Sequence, residues 1–219
     1  MPVLPPIPVA TATDAAWPDT RVARLAALAM VQELELALLT QDSATLVLDD
    51  WCVRHGLAPA GTQIVADRQP GAERPAPPEV RAALHVGAEE PVRYRLVHLR
   101  CGARVLSVAE NWYVPARLTP EMNHALDSTD VSFGRIVRPL GFHRMALGSR
   151  ILWAPLGEDW DTHAPDSAIK DEAAKSLAIP ARLIENRAVL VLPDGTPFSQ
   201  VIENYTAAVL GAQPPAIRR

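Results

Sequence analysis

Two apolar stretches of the sequence carry ionisable residues that could bind or transform a small molecule. The stretch over 92–115 contains Arg93 and Arg95, and the stretch over 183–209 contains Glu203. A charge inside an apolar run must face solvent, find a partner or meet a ligand, because burying it alone is costly. We therefore predict that Arg95 and Glu203 face opposite ends of one small, buried aromatic ligand.

Other interpretations of these charges stay open at this stage. Arg95 could be an exposed residue on the outer face of a sheet, and Glu203 a surface carboxylate. Glu110, a second acidic residue inside a strand pattern, could pair with a core arginine or take the place of Glu203. Arg93 and Arg100 are predicted to be surface charges.

Each stretch has the pattern of two strands joined by a tight turn. In the first, apolar runs over 92–100 and 105–114 flank the residues Cys-Gly-Ala. In the second, Pro-Asp-Gly-Thr separates runs over 187–192 and 198–206. Such turns are typical of antiparallel hairpins, so both candidate charges are predicted to lie on antiparallel strands.

The N-terminal part predicts a helical hairpin. The first helix covers 21–39 and is capped by Asp19 or Thr20, and the second starts at Asp42 and ends before Gly56. Helical spacing predicts that the buried stripe of the first helix consists of Leu25, Leu28, Leu36 and Leu39.

The remaining segments complete an α+β prediction. A helix is expected over 120–126, and a strand over 141–155 in which Met145, Leu147, Ile151 and Trp153 alternate with other residues. Helices followed by hairpins predict an antiparallel β-sheet with an N-terminal helical hairpin and short helices flanking an internal pocket. We expect a flexible arm over 1–18 and a single domain over 19–211, with loop insertions near 69–78 and 156–179.

Composition narrows the classes of partner. The chain has 219 residues, 48% hydrophobic and 21% charged, with a net charge of −4. It lacks the basic surface that nucleic acid requires, and no apolar run approaches the ~18 residues of a membrane span. The N-terminus has no basic region followed by an apolar one, which favours a cytoplasmic location. No histidine spacing indicates a metal site, and Cys52 and Cys101 are predicted to be free buried thiols.

Several segments, taken in order, resemble the chorismate lyase (chorismate pyruvate-lyase) family and related domains of the same fold. They are LLTQDSATLVLDDWC, YRLVHLRCG, AENWYVPARLT, VSFGRIV and PDGTPFSQVIE. The resemblance runs from about Leu25 to Leu210 and extends to the effector-binding domains of certain bacterial repressors. It implies an antiparallel sheet with helical flaps over an internal site. The implied activity is removal of pyruvate from chorismate to give 4-hydroxybenzoate, without a metal or an organic cofactor.

The resemblance also implies roles for individual residues. Arg95 would hold the ring carboxylate together with the backbone N–H of Phe133, which precedes Gly134. Glu203 would face the oxygen at the other end of the ring, and Ala44 would line the pocket. Phe133 stands where the family usually has leucine, and Ala44 is smaller than the expected methionine.

The register of the first hairpin and the chemical role of Glu203 remain open in the sequence. Unless the first hairpin contains an insertion, Leu96 rather than Arg95 falls at the position of the family's arginine. A buried Glu203 could act as general acid towards the leaving enolpyruvate.

The alternative function is a non-catalytic binding protein of the same fold for an aromatic carboxylate. The sequence leaves the oligomeric state open.

Overall fold

The computed structural model of the protein describes residues 17–71, 73–157, 160 and 172–214, without the side chains of 172–174. The helices are α1 (Arg21–Thr40), α2 (Ala44–Arg54), α3 (Pro78–Ala83), α4 (Pro120–Ser128) and α5 (Phe133–Val137). The strands are β1 (Pro18–Asp19), β2 (Val65–Arg68), β3 (Arg93–Cys101), β4 (Arg104–Tyr113), β5 (His143–Ile151), β6 (Glu172–Ser176), β7 (Arg182–Val191) and β8 (Pro197–Thr206).

One antiparallel sheet dominates the described part of the chain. Its strand order is β2-β3-β4-β8-β7-β5, and β1 pairs with β6 in a separate two-stranded ribbon. Strands β3 and β4 form one predicted hairpin and β7 and β8 the other, and the two hairpins meet in the β4–β8 pairing. At the second turn Gly195 has φ +86°, a conformation that favours glycine. The predicted α+β class with an antiparallel sheet is confirmed.

The helical hairpin covers one face of this sheet, and α3 lies on the other. Buried residues of α1 and α2 form one apolar cluster with β3, β4 and β8. Val80 and Leu84, in and just after α3, pack with Trp112 and Val114 on the opposite face. The central strands therefore have two buried faces, and a polar side chain on either face is removed from water.

The predicted buried stripe of α1 is wrong by about one helical position. Leu25, Leu36 and Leu39 are exposed, and Leu28 is half-buried. The buried face instead consists of Ala23, Ala27, Met30, Val31, Leu34 and Leu38. Small residues let the helix approach the sheet closely, so leucine positions alone did not identify the inner face. The predicted helix bounds and the cap at Thr20 are confirmed.

In strand β5, the side chains that face the core are not those of the large apolar residues. It is an edge strand, and Met145 and Leu147, whose alternation predicted the strand, are each 53% exposed. Because side chains alternate along a strand, Arg144 faces inwards instead. Four short elements were not predicted: β1, α3, α5, and β6, which lies within the expected insertion over 156–179.

The ends of the predicted segments need two further statements. Trp17, placed in the predicted arm, is fully buried and donates Nε1–H to the carbonyl of Gly211 at 3.3 Å. Residues 1–16 of that arm lie outside the described residues, as does most of the insertion over 156–179. None of the described helices is both long and apolar enough to cross a bilayer.

A disulfide bond joins α2 to the end of β3, which corrects the prediction of free thiols. Cys52 and Cys101 are buried, 49 residues apart in sequence, with Cα atoms 6.2 Å apart. Sequence separation alone could not show this proximity. Stable disulfides are typical of oxidising compartments. The cytoplasmic location, which was predicted from the N-terminus, stays a prediction.

We expect that opening this bridge lowers the free energy of unfolding by about 2–4 kcal/mol, because it closes a long loop in the unfolded chain. Urea unfolding of the protein with and without a phosphine reductant measures the difference without altering any side chain. The Cys52→Ala/Cys101→Ala variant is the control, since reductant should leave its unfolding curve unchanged. Identical curves for oxidised and reduced wild-type protein would contradict the expectation.

Candidate functional site

A cavity lies between the inner face of the sheet and the helices. Its volume is about 50 Å³. The residues that line it are Asp42, Ser43, Ala44, Thr45, Arg95, Val97, Leu99, Ala109, Asn111, Phe133, Gly134, Phe142, Arg144, Leu190, Val201 and Glu203. The structure thus brings together all five residues singled out in the sequence: Ala44, Arg95, Phe133, Gly134 and Glu203. Their roles towards a ligand stay predictions.

The strand register decides which charges face the cavity. Arg95 pairs across strands with Asn111, and Ala109 pairs with Glu203, so these side chains share the inner face. Leu96 pairs with Glu110, one position along, and therefore faces the other way. Leu96 is thus not the residue that reaches the cavity.

Glu110 lies on the opposite face in a self-contained polar cluster. It is 2% exposed, accepts a hydrogen bond from Tyr94 at 2.8 Å and pairs with Arg74 at 2.6 Å. Burial and Glu110 together raise the pKa of Tyr94. Of the two possibilities considered for Glu110, the structure supports pairing with an arginine and places this carboxylate away from the cavity.

Arg95 is the most unusual group of the site. The residue is only 3% exposed, and none of its Nε, Nη1 and Nη2 atoms has a hydrogen-bond partner among the described residues. Burial lowers the pKa of this guanidinium below its ordinary value. A buried cation without a partner is expensive, because removal from water is not compensated by a protein acceptor. Its neighbour Asn111 likewise has a buried Nδ2 without a described partner, so this wall of the cavity offers donors.

A second cavity, of about 360 Å³, meets Arg95 from another side. It is also lined by Arg68, Arg74, Arg93 and Asp127, among others. Unlike Arg95, these arginines have carboxylate partners. Arg93 lies 2.9 Å and Arg68 4.0 Å from Asp127, while Arg74 pairs with Glu110.

Glu203 is held by a buried ion pair. Arg144 Nη2 lies 2.5 Å from its Oε2, and both side chains are less than a tenth exposed. The hydroxyl of Tyr205 donates to the same oxygen at 3.0 Å. Burial alone would lower the pKa of Arg144, but the charge of Glu203, the hydrogen bond to it and the nearby Tyr205 and Asp42 together outweigh burial and raise that pKa. Burial and Glu203 also raise the pKa of Tyr205 well above its ordinary value.

Sequence reasoning missed Arg144. The signal was present as a charge in the strand pattern over 141–155, but the apolar alternation of Met145 and Leu147 pointed to the other face. The backbone N–H of Arg144 donates to Asp42 Oδ1 at 3.0 Å, which ties β5 to the residue before the cap of α2. Asp42, predicted as the helix cap, therefore has a different partner, and Ser43 is the N-cap.

The first turn of α2 forms the opposite wall. Ala44 and Thr45 are its first residues, and its amide dipoles favour negative charge at this end. A Cβ atom on Gly134 would lie 3.1 Å from Ser43 Oγ, which is tighter than almost all real contacts. Glycine at 134 therefore lets α5 pack against the start of α2.

Aromatic rings close the apolar end of the site. The ring of Phe198 lies 6.3 Å from that of Phe133 and 5.9 Å from that of Phe142, measured between centroids. Both Phe133 and Phe142 line the cavity and are almost fully buried. Within the described part of the chain, no group of three or more His, Cys, Asp or Glu side chains could hold a metal ion.

Comparison with known proteins shows the family of this chain. The uncharacterized protein y4mC of Sinorhizobium fredii (strain NBRC 101917 / NGR234) is 51% identical over 201 residues, which are 92% of this chain and 84% of that protein. The chain belongs to the y4mC family. No family model matches it. The name of this relative states no ligand, so a function for the y4mC family has to come from the site.

Three solved structures resemble the y4mC-family chain with TM-scores below 0.5 and sequence identities of 12–16%. PhnF from Mycobacterium smegmatis gives a TM-score of 0.49 at 12% identity over 82% of this chain and 70% of that one. The effector domain of PhnF gives 0.45 at 13% identity, over 76% and 89%. YydK of Bacillus subtilis, a possible transcriptional regulator, gives 0.41 at 16% identity, over 73% of this chain and 63% of its own. The architecture described above rests on the strand order of this chain alone.

We expect that Arg95→Met makes the ligand-free protein more stable, although it removes a residue of the site. Methionine fills similar space without a buried, unpartnered charge, so the free energy of unfolding should rise by about 1–3 kcal/mol. Urea unfolding in buffer free of organic acids measures this change.

Arg93→Met is the matched control on the same strand and face. Arg93 is half-exposed and pairs with Asp127, so its replacement should change the free energy of unfolding by less than about 1 kcal/mol. If Arg95→Met instead lowers the free energy of unfolding, the guanidinium stabilises the ligand-free fold, which contradicts the expectation.

Proposed function

We propose that this protein binds a small carboxylate in the inner cavity, with Arg95 as its counter-ion. The observation that carries the proposal is a buried guanidinium whose three nitrogen atoms have no described partner. A carboxylate matches the planar fork of an arginine and accepts two parallel hydrogen bonds from it. Binding would therefore supply the acceptors that the folded chain does not.

The surroundings of Arg95 support an anion rather than a neutral ligand. Asn111 Nδ2 adds a second buried donor without a described partner, and α2 turns the positive end of its dipole towards the cavity. The other walls are formed by apolar side chains such as Val97, Leu99 and Val201. A ligand with a single acidic end and an apolar body satisfies both parts of the site.

The cavity volume limits the body of the ligand. About 50 Å³ is enough for a few waters, whereas an apolar cavity that binds benzene measures about 150 Å³. A short aliphatic acid requires the smaller rearrangement. An aromatic acid requires the Phe133 and Phe142 rings to move apart, which side-chain rotation allows.

Chorismate lyase activity is the second candidate. It is favoured because Arg95 and Glu203 line the same cavity, as the resemblance to that family implies. The ion pair between Arg144 and Glu203 weakens it, because a carboxylate held by a guanidinium accepts hydrogen bonds and has no proton to donate. Binding without catalysis is therefore the function that the geometry supports better.

Butyrate, benzoate and 4-hydroxybenzoate should each be tested as ligands of the wild-type protein. A compound that binds only the folded state raises the midpoint of thermal unfolding, by the equivalent of about 2.7 kcal/mol at a hundred times its Kd. We expect at least one of the three to do so, and Arg95→Gln to abolish the shift.

Arg93→Gln is the matched control, because it removes a guanidinium from the same strand outside the inner cavity. It should retain the ligand-induced shift. If the shift survives in Arg95→Gln and disappears in Arg93→Gln, the ligand occupies the second cavity and the proposed role of Arg95 fails.

Incubation with chorismate tests the second candidate. We expect no 4-hydroxybenzoate to form above the uncatalysed rate, as followed by absorbance and chromatography. Turnover that Glu203→Gln abolishes would reverse this conclusion and establish the lyase, because it would assign the proton transfer to Glu203.

A further inference from the structure

We infer that the inner cavity selects monoanions over dianions, and that Arg144 is the residue that sets this selection by neutralising Glu203. The inference rests on the proposed function, because it concerns which carboxylates Arg95 accepts. It assigns a ligand class to the site: acids with one negative charge and an uncharged far end.

Of the charged residues that line the cavity, only one is buried and has no described partner. Four charged residues line it, namely Asp42, Arg95, Arg144 and Glu203. Arg144 and Glu203 neutralise each other at 2.5 Å inside the protein. Asp42 is exposed and accepts the backbone N–H of Arg144. Arg95 is therefore the one cation among these four without a described acceptor, and one carboxylate would pair with it.

A second carboxylate on the ligand would find no cation to bind. On the inner face, the guanidinium opposite Arg95 is that of Arg144, and Glu203 already occupies it. Tyr205 reinforces this arrangement, since its hydroxyl donates to the same Oε2 atom at 3.0 Å. A dianion would place its second charge beside an ion pair that is already closed, so no cation would compensate for the hydration that this charge loses.

The second cavity, which Arg95 also lines, has a different charge balance. Four arginines and the carboxylates of Glu73 and Asp127 line it. Its other arginines have carboxylate partners, because Asp127 pairs with Arg68 and Arg93, and Glu110 pairs with Arg74. The selection for one charge is therefore inferred for the inner cavity alone.

Pairs of ligands that differ by one carboxylate test the inference. The pairs are benzoate with terephthalate, and butyrate with succinate, titrated at constant ionic strength by calorimetry. In the wild-type protein we expect the monoanion of a pair to bind at least about tenfold more tightly than its dianion. This comparison needs no variant, so it stands even if substitutions disturb folding.

Glu203→Gln should remove the preference. The amide keeps the size of the side chain but frees Arg144, so the cavity then holds two cations for two carboxylates. We expect the Kd of the dianion to fall at least about tenfold. Glu185→Gln is the matched control: the same substitution at a buried, arginine-paired glutamate that lines neither cavity, which should leave both dissociation constants unchanged.

The outcomes separate the inference from the function on which it rests. If no monoanion binds, the proposed function fails and the inference with it. If monoanion and dianion bind the wild-type protein equally, through Arg95, only the charge selection is wrong. A dianion preference in the wild-type protein, or no gain in Glu203→Gln, would likewise remove Arg144 from the specificity of the site.

Discussion

The proposed function depends on a single uncompensated charge, the buried guanidinium of Arg95. Strand β3 is paired on both sides and covered by α2, so the side chain cannot reach water as a surface arginine does. A fold that only required stability would place an apolar residue there or supply a carboxylate. Keeping the charge unpaired lowers the stability of the empty protein, and such a cost is characteristic of binding sites.

The two faces of the central strands differ in whether their buried charges have partners. On the outer face, Glu110 is as deeply buried as Arg95, but Arg74 and Tyr94 satisfy it. Its cluster can be explained as structure, because every strong electrostatic demand is met locally. On the inner face, Glu203 is met by Arg144, whereas Arg95 is met by no described residue. The unmet demand, and not the presence of charges in strands, distinguishes the site.

The sequence predicted those parts of the fold in which local pattern and tertiary packing agree. The choice between Arg95 and Leu96 stayed open until the register of β3 was known, whereas both hairpins followed from turn residues and from alternation. It failed at edge strand β5, where the apolar residues Met145 and Leu147 face outwards and Arg144 faces the core. An edge strand lacks the neighbour that forces its apolar side inwards, so hydrophobicity is a weaker guide there. The disulfide and the pairing of Glu203 depend on distances between remote segments, which no local pattern contains.

The walls of the cavity differ in how firmly they are held. Helix α2 contributes the first-turn wall, and the disulfide between Cys52 and Cys101 ties its second half to β3, the strand of Arg95. These two walls therefore keep a fixed separation. The facing wall comes from α5, a helix of 5 residues, and from the ring of Phe142. Side chains of a short element move at lower cost than a covalently tied helix. Under the proposed function, adjustment to the apolar body of a ligand would therefore occur on the phenylalanine side, and the donors proposed to hold its carboxylate would stay in place.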